Sequence, residues 1–376
     1  MTEHTLLVLS GGNALGAYEA GAYETLHAQG LHPERIVAVS TGAINAALIA
    51  GNPPEKRVER LRGFWSSAMR ETPGWPMMST HWPLAWDSNR ARALQSTALG
   101  SPAIYHPRFP GMLSMFPGMP MDTSVYDLAP LRKTLEQSVD FGRLNSGEIR
   151  LTVVAVDMCS GEEIRFDTTE APLEMDHLLA SCGFVPFFSP VSVGDRLVVD
   201  GGLASNLPLE AALAEPFAKD QLCIAIDLFR RRSQGLRTVG QAMDRQLELL
   251  LSTQTCRALA GLKQAHALRR HLRLLGERLP ESERADPALA QALAEGAKIE
   301  AATTLLLLNH ACVTHDAEMR AFDFSRPALT ERWDCGRSDM AHALEALGSQ
   351  RAGPGEFMVQ AFSGCEPLDM SGVGPA

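Results

Sequence analysis

The stretch LLVLSGGNALGAYEAG, residues 6–21, joins a short apolar run, a glycine-containing loop and the start of a helical pattern. A second stretch, IVAVSTGAIN at residues 36–45, repeats the arrangement of an apolar run, a tight turn and a helix. Apolar runs without period-two alternation are typical of strands that are buried on both faces of a parallel sheet. The two stretches therefore predict a βαβ beginning and an α/β fold.

The same alternation continues along the chain. Apolar runs predict further strands at 150–156, 163–166, 196–199, 222–228 and 303–308. Helical patterns are predicted at 17–29, 42–49, 173–181 and 288–297, and one long helix is marked by Met243, Leu247, Leu250 and Leu251. We also expect a helix after the Pro53-Pro54 break, with Val58, Leu61, Phe64 and Trp65 on one face.

Three changes in pattern divide the chain. Residues 1–230 are predicted to form the core, with an insertion at about 73–130 that is rich in Pro, Met, Trp and Phe. Such an insertion is either a lid or binding wall, or an excursion that packs over the core. Residues 231–348 are predicted to be a mainly helical C-terminal extension, and residues 349–376 a flexible tail that contains Gly and Pro.

Composition narrows the class of protein. The chain has 376 residues, of which 45% are hydrophobic and 21% charged, as in a soluble globular protein. Its formal net charge of −10 disfavours nucleic acid as a partner, because phosphate binding needs clustered Lys and Arg. No apolar run approaches the roughly 18 residues of a membrane span, and the N-terminus lacks the layout of a signal peptide. We expect a cytoplasmic protein.

Cysteine and histidine spacing gives no sign of a metal. The seven cysteines are scattered and contain no C-x-x-C pair, which argues against a disulfide framework and a zinc site. No H-E-x-x-H pattern occurs either. We therefore expect neither a metal nor a cofactor.

Ser40 stands at the turn between the second predicted strand and its helix. A serine hydroxyl becomes a useful nucleophile when a sharp strand-turn-helix exposes it and a base takes its proton. Ala38 and Gly42 are small, as a tight turn requires. The alternative is that Ser40 only caps the following helix, which is a frequent use of serine.

Asp200 ends the predicted strand at 196–199 and precedes Gly201-Gly202. A carboxylate at a strand terminus, with backbone allowed close beside it, suits a general base. The alternative is an Asx turn, for which Asp-Gly is a common sequence. His81, His106 and His177 are rival bases, because a Ser-His-Asp triad needs one of them near Ser40.

The loop at Gly11, Gly12 and Asn13 lies between the first strand and its helix. Its N–H groups are candidate donors to an oxyanion, with each donor worth about 3 kcal/mol. A nucleotide site is the competing interpretation, since Gly11-x4-Gly16 has the glycine spacing of a phosphate loop. Ala17-Tyr18 replaces the required Lys-Ser/Thr, however, and G-x-G-x-x-G is absent.

Taken together and in this order, three segments resemble the signatures of the patatin-like phospholipase family. They are residues 7–21, residues 38–46 and DGGLASNLP at 200–208. The segment ASCGFVPFFSP at 180–190 also resembles the family's Ser-containing helix end and Pro-Phe turn. FDFSR at 322–326 and ERW at 331–333 resemble a C-terminal extension found in a bacterial subset of the family.

The resemblance implies a three-layer α/β/α fold with a mostly parallel sheet, and hydrolysis of lipid acyl esters by a Ser-Asp dyad without histidine. Ser40 would be the nucleophile, Asp200 its base, and the amides of Gly11, Gly12 and Asn13 the oxyanion hole. Two positions depart from the family pattern, which has glycine where Ala38 and Asn13 stand. Asn tolerates positive φ best among non-glycine residues, and its side chain either occupies or supplements the hole.

The sequence thus predicts a serine acyl-ester hydrolase that forms an acyl-enzyme. Its expected partner is a lipid or another acyl ester, with peripheral membrane contact and homo-oligomer formation as further expectations. Two alternatives stay open at this point. One is a catalytically weak or silent lipid-binding or oligomerisation module, and the other is an acyltransferase that uses an acceptor other than water.

Overall fold

A computed structural model describes residues 4–70, 95–214, 219–231, 235–284, 286–296, 301–310 and 319–368. Within these residues, ten strands form one sheet, in the order β12-β11-β10-β9-β1-β2-β5-β8-β7, with β6 on β5. The strands from β11 to β5 in this order run parallel. The remaining pairings are antiparallel. The predicted mostly parallel sheet is confirmed.

The strands are β1 (His4–Leu9), β2 (Arg35–Val39), β3 (His106–Pro107), β4 (Tyr126–Asp127), β5 (Arg150–Asp157), β6 (Glu163–Asp167), β7 (Val191–Val193), β8 (Arg196–Asp200), β9 (Gln221–Asp227), β10 (Thr303–Asn309), β11 (Phe357–Ser363) and β12 (Glu366–Pro367). Strands β3 and β4 pair with each other outside the main sheet.

The helices are α1 (Ala17–Ala28), α2 (Thr41–Ala50), α3 (Pro54–Ala68), α4 (Ala129–Ser138), α5 (Phe141–Leu144), α6 (Met175–Ser181), α7 (Leu209–Leu213), α8 (Val239–Arg278), α9 (Glu281–Arg284), α10 (Pro287–Gly296) and α11 (Arg326–Leu347). Short 3₁₀ turns at Asn13–Gly16, Gly111–Met115, Gly201–Leu203 and Arg320–Phe322 connect several of them.

Alternate side chains of the central strands pack into separate layers. Leu7 and Leu9 of β1 belong to the larger core, which contains the buried faces of α1, α2, α3 and α11. Leu6 and Val8 belong to a second core on the other face, together with α7 and part of α8. This alternation places helices on both sides of the sheet, which is the predicted α/β/α arrangement.

The C-terminal region is more closely joined to the sheet than the sequence indicates. Strand β11 lies inside the segment 349–376, for which we expected a flexible tail, and it pairs in parallel with β10 along its whole length. Its half-buried, mixed sequence FMVQAFS lacks the continuous apolar run by which the other parallel strands were recognised. The extension at 231–348 is mainly helical as expected and contributes the predicted strand β10 to the sheet, while the segment after it contributes β11.

Helix α11 packs directly on α1. A Cβ atom built on Gly21 would lie 2.0 Å from the carbonyl oxygen of Trp333, and one built on Gly336 would lie 2.0 Å from that of Tyr18. Both glycines are therefore required by the close approach of the two backbones. This contact joins the C-terminal region to the helix that follows the glycine loop.

Cys335 is disulfide-bonded. The spacing of the cysteines argued against a disulfide framework, but spacing along the chain does not report which cysteines meet in space. Of the other described cysteines, Cys182 and Cys223 are buried thiols, whereas Cys159 and Cys365 are exposed. Part of the predicted insertion, residues 73–94, lies outside the described residues.

Candidate active site

Ser40 lies on a sharp turn between β2 and α2. Its backbone has φ 54° and ψ −124°, one of three positive-φ non-glycine residues in the described part of the chain. Its side chain makes no capping bond to α2, so the interpretation of Ser40 as a simple helix cap is not what the structure shows. Gly42 permits the turn, because a Cβ there would lie 2.7 Å from the carbonyl oxygens of Leu9 and Ser10.

Ser181, at the end of α6, holds this strained turn in place. Its hydroxyl accepts a hydrogen bond from the Ser40 N–H at 2.9 Å and donates one to the Val154 carbonyl at 2.7 Å. The Ser181 side chain is completely buried. A backbone conformation as rare as that of Ser40 persists only where its surroundings fix it, and Ser181 is one of the groups that do so.

Asp200 ends β8 and is 1% exposed. Its Oδ1 accepts the Gly202 N–H at 2.7 Å, which is the Asx-turn contact considered from the sequence. Oδ2 is buried and has no hydrogen-bond partner, so one oxygen stays available for a proton. A Cβ on Gly201 would lie 2.5 Å from the Val154 carbonyl oxygen, which explains the glycine after the acid.

Sheet register brings Ser40 and Asp200 to the two sides of β5. Val39 pairs with Val154, while Asp200 pairs with Ala155. Burial raises the pKa of Asp200 to about 7, and the neighbouring Ser40 hydroxyl and the Gly202 amide limit that rise. The Ser40–Asp200 geometry falls short of a formed hydrogen bond, since Oδ2 has no partner. Catalytic hydrogen bonds are often long before substrate binds.

The glycine loop lies directly beside Ser40. A Cβ on Gly11 would be 3.1 Å from the Cβ of Ser40. The Gly11 N–H donates to the Asn206 carbonyl at 3.1 Å, so the prediction that this amide serves an oxyanion needs correction. Within the described part of the chain, the amides of Gly12 and Asn13 have no such acceptor. Asn13 has φ 52°, the conformation for which Asn substitutes best for glycine.

A buried polar network joins the loop to the helix that carries Ser40. Glu19 Oε1 accepts the Ser10 N–H at 2.8 Å, and Oε2 accepts Asn45 Nδ2 at 3.0 Å. Asn45 also donates to the Gly16 carbonyl and accepts the Trp65 Nε1–H. Burial raises the pKa of Glu19 well above its usual value. The network fixes the position of the glycine loop relative to α2.

The Asp200 loop is tied to the same place by Asn206 and by the C-terminal region. Asn206 Nδ2 donates to the Gly11 carbonyl at 3.2 Å. The Asn206 N–H donates in turn to Gln254 of α8 at 2.8 Å, and Gln254 Nε2 donates to the Gly202 carbonyl at 3.3 Å. The loops after β1 and β8 are thereby held together.

A mostly apolar cavity opens at Ser40, with about 690 Å³ of empty space including its open mouth. Its polar part is formed by Gly11, Gly12, Asn13, Ser40, Thr41 and Asn206. Its apolar lining consists of Ile44, Ile104, Leu128, Leu131, Cys182, Phe184, Phe187, Phe188, Phe229, Leu247, Leu251, Ala321 and Phe322. An apolar lining with a few polar groups is typical of a small-molecule or lipid site.

Two of the rival histidine bases, His106 and His177, are not at this cavity. His106 is exposed on β3, and the ring of His177 accepts the Glu174 N–H and stacks on Phe166 at 4.2 Å. His81 lies outside the described residues. In the part of the chain that the structure describes, no cluster of three or more metal-ligating side chains is found. No helix among the described residues has the length and apolarity to cross a membrane.

Sequence reasoning singled out Ser40, Asp200 and the glycine loop but missed the groups that hold them. These groups are Ser181, Glu19, Asn45, Asn206 and Gln254. For two of them a signal was present, because Glu19 and Asn45 are lone polar residues inside small apolar helical runs. A buried polar residue of that kind needs a partner.

The family model described as patatin-like phospholipase matches residues 7–213, more than half of the chain, and the one described as patatin phospholipase matches residues 251–354. The chain belongs to the patatin-like phospholipase family. The second match includes residues 322–326 and 331–333, whose sequences resemble the C-terminal extension of a bacterial subset of the family.

One relative is the uncharacterised protein YqhO of Bacillus subtilis, 28% identical over 214 residues. The match covers 54% of this chain and 64% of YqhO, so the chain spans less than two thirds of that relative.

Similar solved structures include VipD from Legionella pneumophila, with 14% identity, a TM-score of 0.36, and coverage of 89% of this chain and 67% of VipD. Another is the ExoU-SpcU complex of the Pseudomonas aeruginosa type III secretion system, with 18% identity, a TM-score of 0.28, and coverage of 94% and 73%. Family membership, which rests on the sequence models, supports a lipid hydrolase.

Proposed function

We propose that the protein is a serine acyl-ester hydrolase that acts on lipids through Ser40 and Asp200. The observation that carries the proposal is the pairing of a serine on a strained turn with a buried carboxyl whose pKa is about 7. A general base works best when its pKa lies near the working pH. Family membership supports the same chemistry.

In the first half-reaction, Ser40 Oγ attacks the ester carbonyl while Asp200 Oδ2 accepts the hydroxyl proton. The carbonyl oxygen becomes an oxyanion beside the amides of Gly12 and Asn13. The Thr41 N–H, at the first position of α2, is a further donor, because such an amide has no acceptor within its helix. Collapse of the intermediate breaks the ester bond, and the leaving alkoxide takes the proton from Asp200.

The second half-reaction releases the acid. Water attacks the acyl-Ser40 carbonyl as Asp200 again accepts a proton. The second intermediate then collapses to the free carboxylic acid, and the leaving Ser40 oxygen takes the proton back from Asp200. The same oxyanion donors serve both steps. The apolar cavity next to Ser40 accommodates the acyl chain, which supports a lipid ester as the substrate.

The two departures from the family pattern do not favour a silent module. Ala38 lies within β2, pairs with Leu9 and Val153, and is fully buried, and the sharp Ser40 turn forms directly after the strand. Asn13 adopts the positive φ that its position requires. Both residues are accommodated, which supports an active enzyme.

Membrane contact belongs to the same proposal. Phe109, Met115, Phe116 and Met121 are between 61% and 98% exposed on the segment that follows the cavity residue Ile104. Apolar side chains of this size, clustered on one segment, are typical of a surface that meets lipid. The division into a core to residue 230 and an extension after it, a cytoplasmic location and homo-oligomer formation remain predictions.

A fluorophosphonate probe tests the nucleophile directly. The native chain should gain one probe adduct by intact mass and hydrolyse p-nitrophenyl esters and defined phospholipids. Ser40→Ala should lose both, whereas Ser66→Ala, an exposed serine on α3, should keep both. Equal labelling of Ser40→Ala would contradict the proposal. Product analysis with added alcohols or lysolipids separates hydrolysis from acyl transfer.

A further inference from the structure

The cavity is not built from the catalytic core alone. Four of its lining side chains, Leu247, Leu251, Ala321 and Phe322, come from the C-terminal region, on α8 and on the 3₁₀ turn before α11. We call these four residues the C-terminal wall. They are all apolar, so this part of the cavity offers no side-chain hydrogen bond to a polar head group.

Aromatic packing fixes the position of Phe322. Its ring lies 5.0 Å from that of Phe187, 6.2 Å from that of Tyr126 and 6.3 Å from that of Tyr105, measured between centroids. Phe187 follows the Pro turn near Ser181, whereas Tyr105 and Tyr126 belong to the insertion. The Phe322 ring thus joins the C-terminal wall to two segments of the core. Contacts between aromatic rings have preferred geometries, so these neighbours restrict the orientation of the ring.

Polar contacts hold the turn that carries Phe322. Arg320 forms an ion pair with Glu248 of α8. The buried Arg332 of α11 donates to the carbonyl oxygens of Arg320 and Asp323 at 2.8 Å and to that of Ala14 at 3.1 Å. Ala14 follows Asn13 in the glycine loop. The wall is therefore attached to the site where chemistry is proposed, and its distance from Ser40 is set by the fold.

We propose that the C-terminal wall limits the length of acyl chain that the enzyme accepts, so that the region matched at 251–354 is a specificity element of the active site. This inference rests on the proposed function. Each methylene of the acyl chain that is buried against a preformed apolar wall strengthens binding, and a chain too long for the cavity is excluded by steric clash with the wall. Each well-buried methylene should raise kcat/KM by about fourfold.

The test compares three variants on α8 and the turn. Leu251→Phe enlarges a side chain that is 5% exposed and lines the cavity, and Phe322→Ala removes the ring. Leu250→Phe is the matched control, because Leu250 is the neighbouring residue on the same helix and is 58% exposed. For each variant, kcat/KM is measured on p-nitrophenyl esters from acetate to palmitate.

We expect Leu251→Phe to lower kcat/KM for the longest accepted esters by about tenfold or more, with acetate affected least. Phe322→Ala should shift the preferred length towards longer chains, and Leu250→Phe should leave the profile as in the native chain. Fluorophosphonate labelling of each variant checks that the catalytic site is folded. An unchanged length profile in both cavity variants, with labelling intact, would overturn the inference and leave the proposed function standing.

A second measurement separates failure of the wall from failure of catalysis. Displacement of cis-parinaric acid by saturated fatty acids of increasing length is measured in the Ser40→Ala background. Leu251→Phe should weaken displacement by long acids by about tenfold or more relative to short ones. If the native chain hydrolyses no ester but this shift appears, the proposed function fails and the wall remains a chain-length determinant. If hydrolysis occurs and neither measurement shifts, only the wall is wrong.

Discussion

The two sides of the cavity are built by different means. The side that carries the proposed catalytic residues, which we call the catalytic side, consists of three loops after β1, β2 and β8. Hydrogen bonds of 2.8 to 3.2 Å between buried groups hold these loops together. The C-terminal wall is apolar and is held at its edges by Arg320 and Arg332. Hydrogen bonds tolerate little displacement, while apolar packing adapts to changes of similar volume. Substitutions should therefore abolish function on the first side and retune it on the second.

Removal of the proposed base should have the largest effect on the catalytic side. Asp200→Asn keeps the side-chain shape but leaves no group to accept the Ser40 proton, so we expect kcat to fall by about 10³-fold. Steady-state hydrolysis of p-nitrophenyl butyrate by the variant and the native chain measures this fall in kcat.

In the native chain, kcat/KM should rise with pH through about 7, because Asp200 must be ionised and burial raises its pKa to about 7.

Stability gives an independent check on Asp200. An unfolded aspartate has a pKa of about 3.9, so between about pH 4 and 7 the native state binds the extra proton and the native chain loses stability as pH rises. The amide that Asp200→Asn introduces does not titrate. The difference in Tm between variant and native chain should therefore increase from pH 5 to pH 8. A raised pKa of Asp200 would be ruled out if kcat/KM of the native chain rose through about pH 4 and the Tm difference stayed constant from pH 5 to pH 8.

Loss of the Ser181 hydroxyl should have a smaller effect. Ser181→Ala leaves the Ser40 N–H without its acceptor, and an unpaired buried donor costs about 1–3 kcal/mol. If the strained turn relaxes in response, kcat falls by roughly ten- to hundredfold. Ser67→Ala, an exposed serine on α3, controls for the same exchange elsewhere. Native kcat in Ser181→Ala would mean that the turn is fixed by other contacts.

Features marked by a local sequence pattern could be predicted, whereas contacts between distant residues could not. The βαβ beginning, the turn at Ser40 and strand β10 were predictable because continuous apolar runs report strands buried on both faces. Strand β11 was missed because its sequence has no such run. The engagement of the Gly11 amide by Asn206 was also missed, since residues 195 positions apart meet only through the fold.

The position of the C-terminal wall at the cavity could not be predicted from the sequence. Leu247 and Leu251 were among the residues that marked a long helix, but apolar residues at helical spacing predict burial and not the partner against which they are buried. Their place at the cavity depends on how α8 packs beside the Asp200 loop, where Gln254 reaches Gly202 and Asn206. Local pattern does not determine such a tertiary arrangement, whereas catalytic loops carry small and polar residues at positions fixed by backbone geometry.

The smallest effect is expected at Asn13, where the sequence left two roles open. If its role is to adopt φ 52° and present its amide, Asn13→Gly should keep kcat within about threefold, because glycine adopts this conformation without strain. For Asn13→Ala, positive φ costs about 1–2 kcal/mol, so kcat should fall roughly tenfold. The two variants are compared by kcat on one ester. Asn13 Nδ2, however, is buried without a partner at the cavity. A fall of about a hundredfold in Asn13→Gly would show that this side chain, and not only the backbone, donates to the oxyanion.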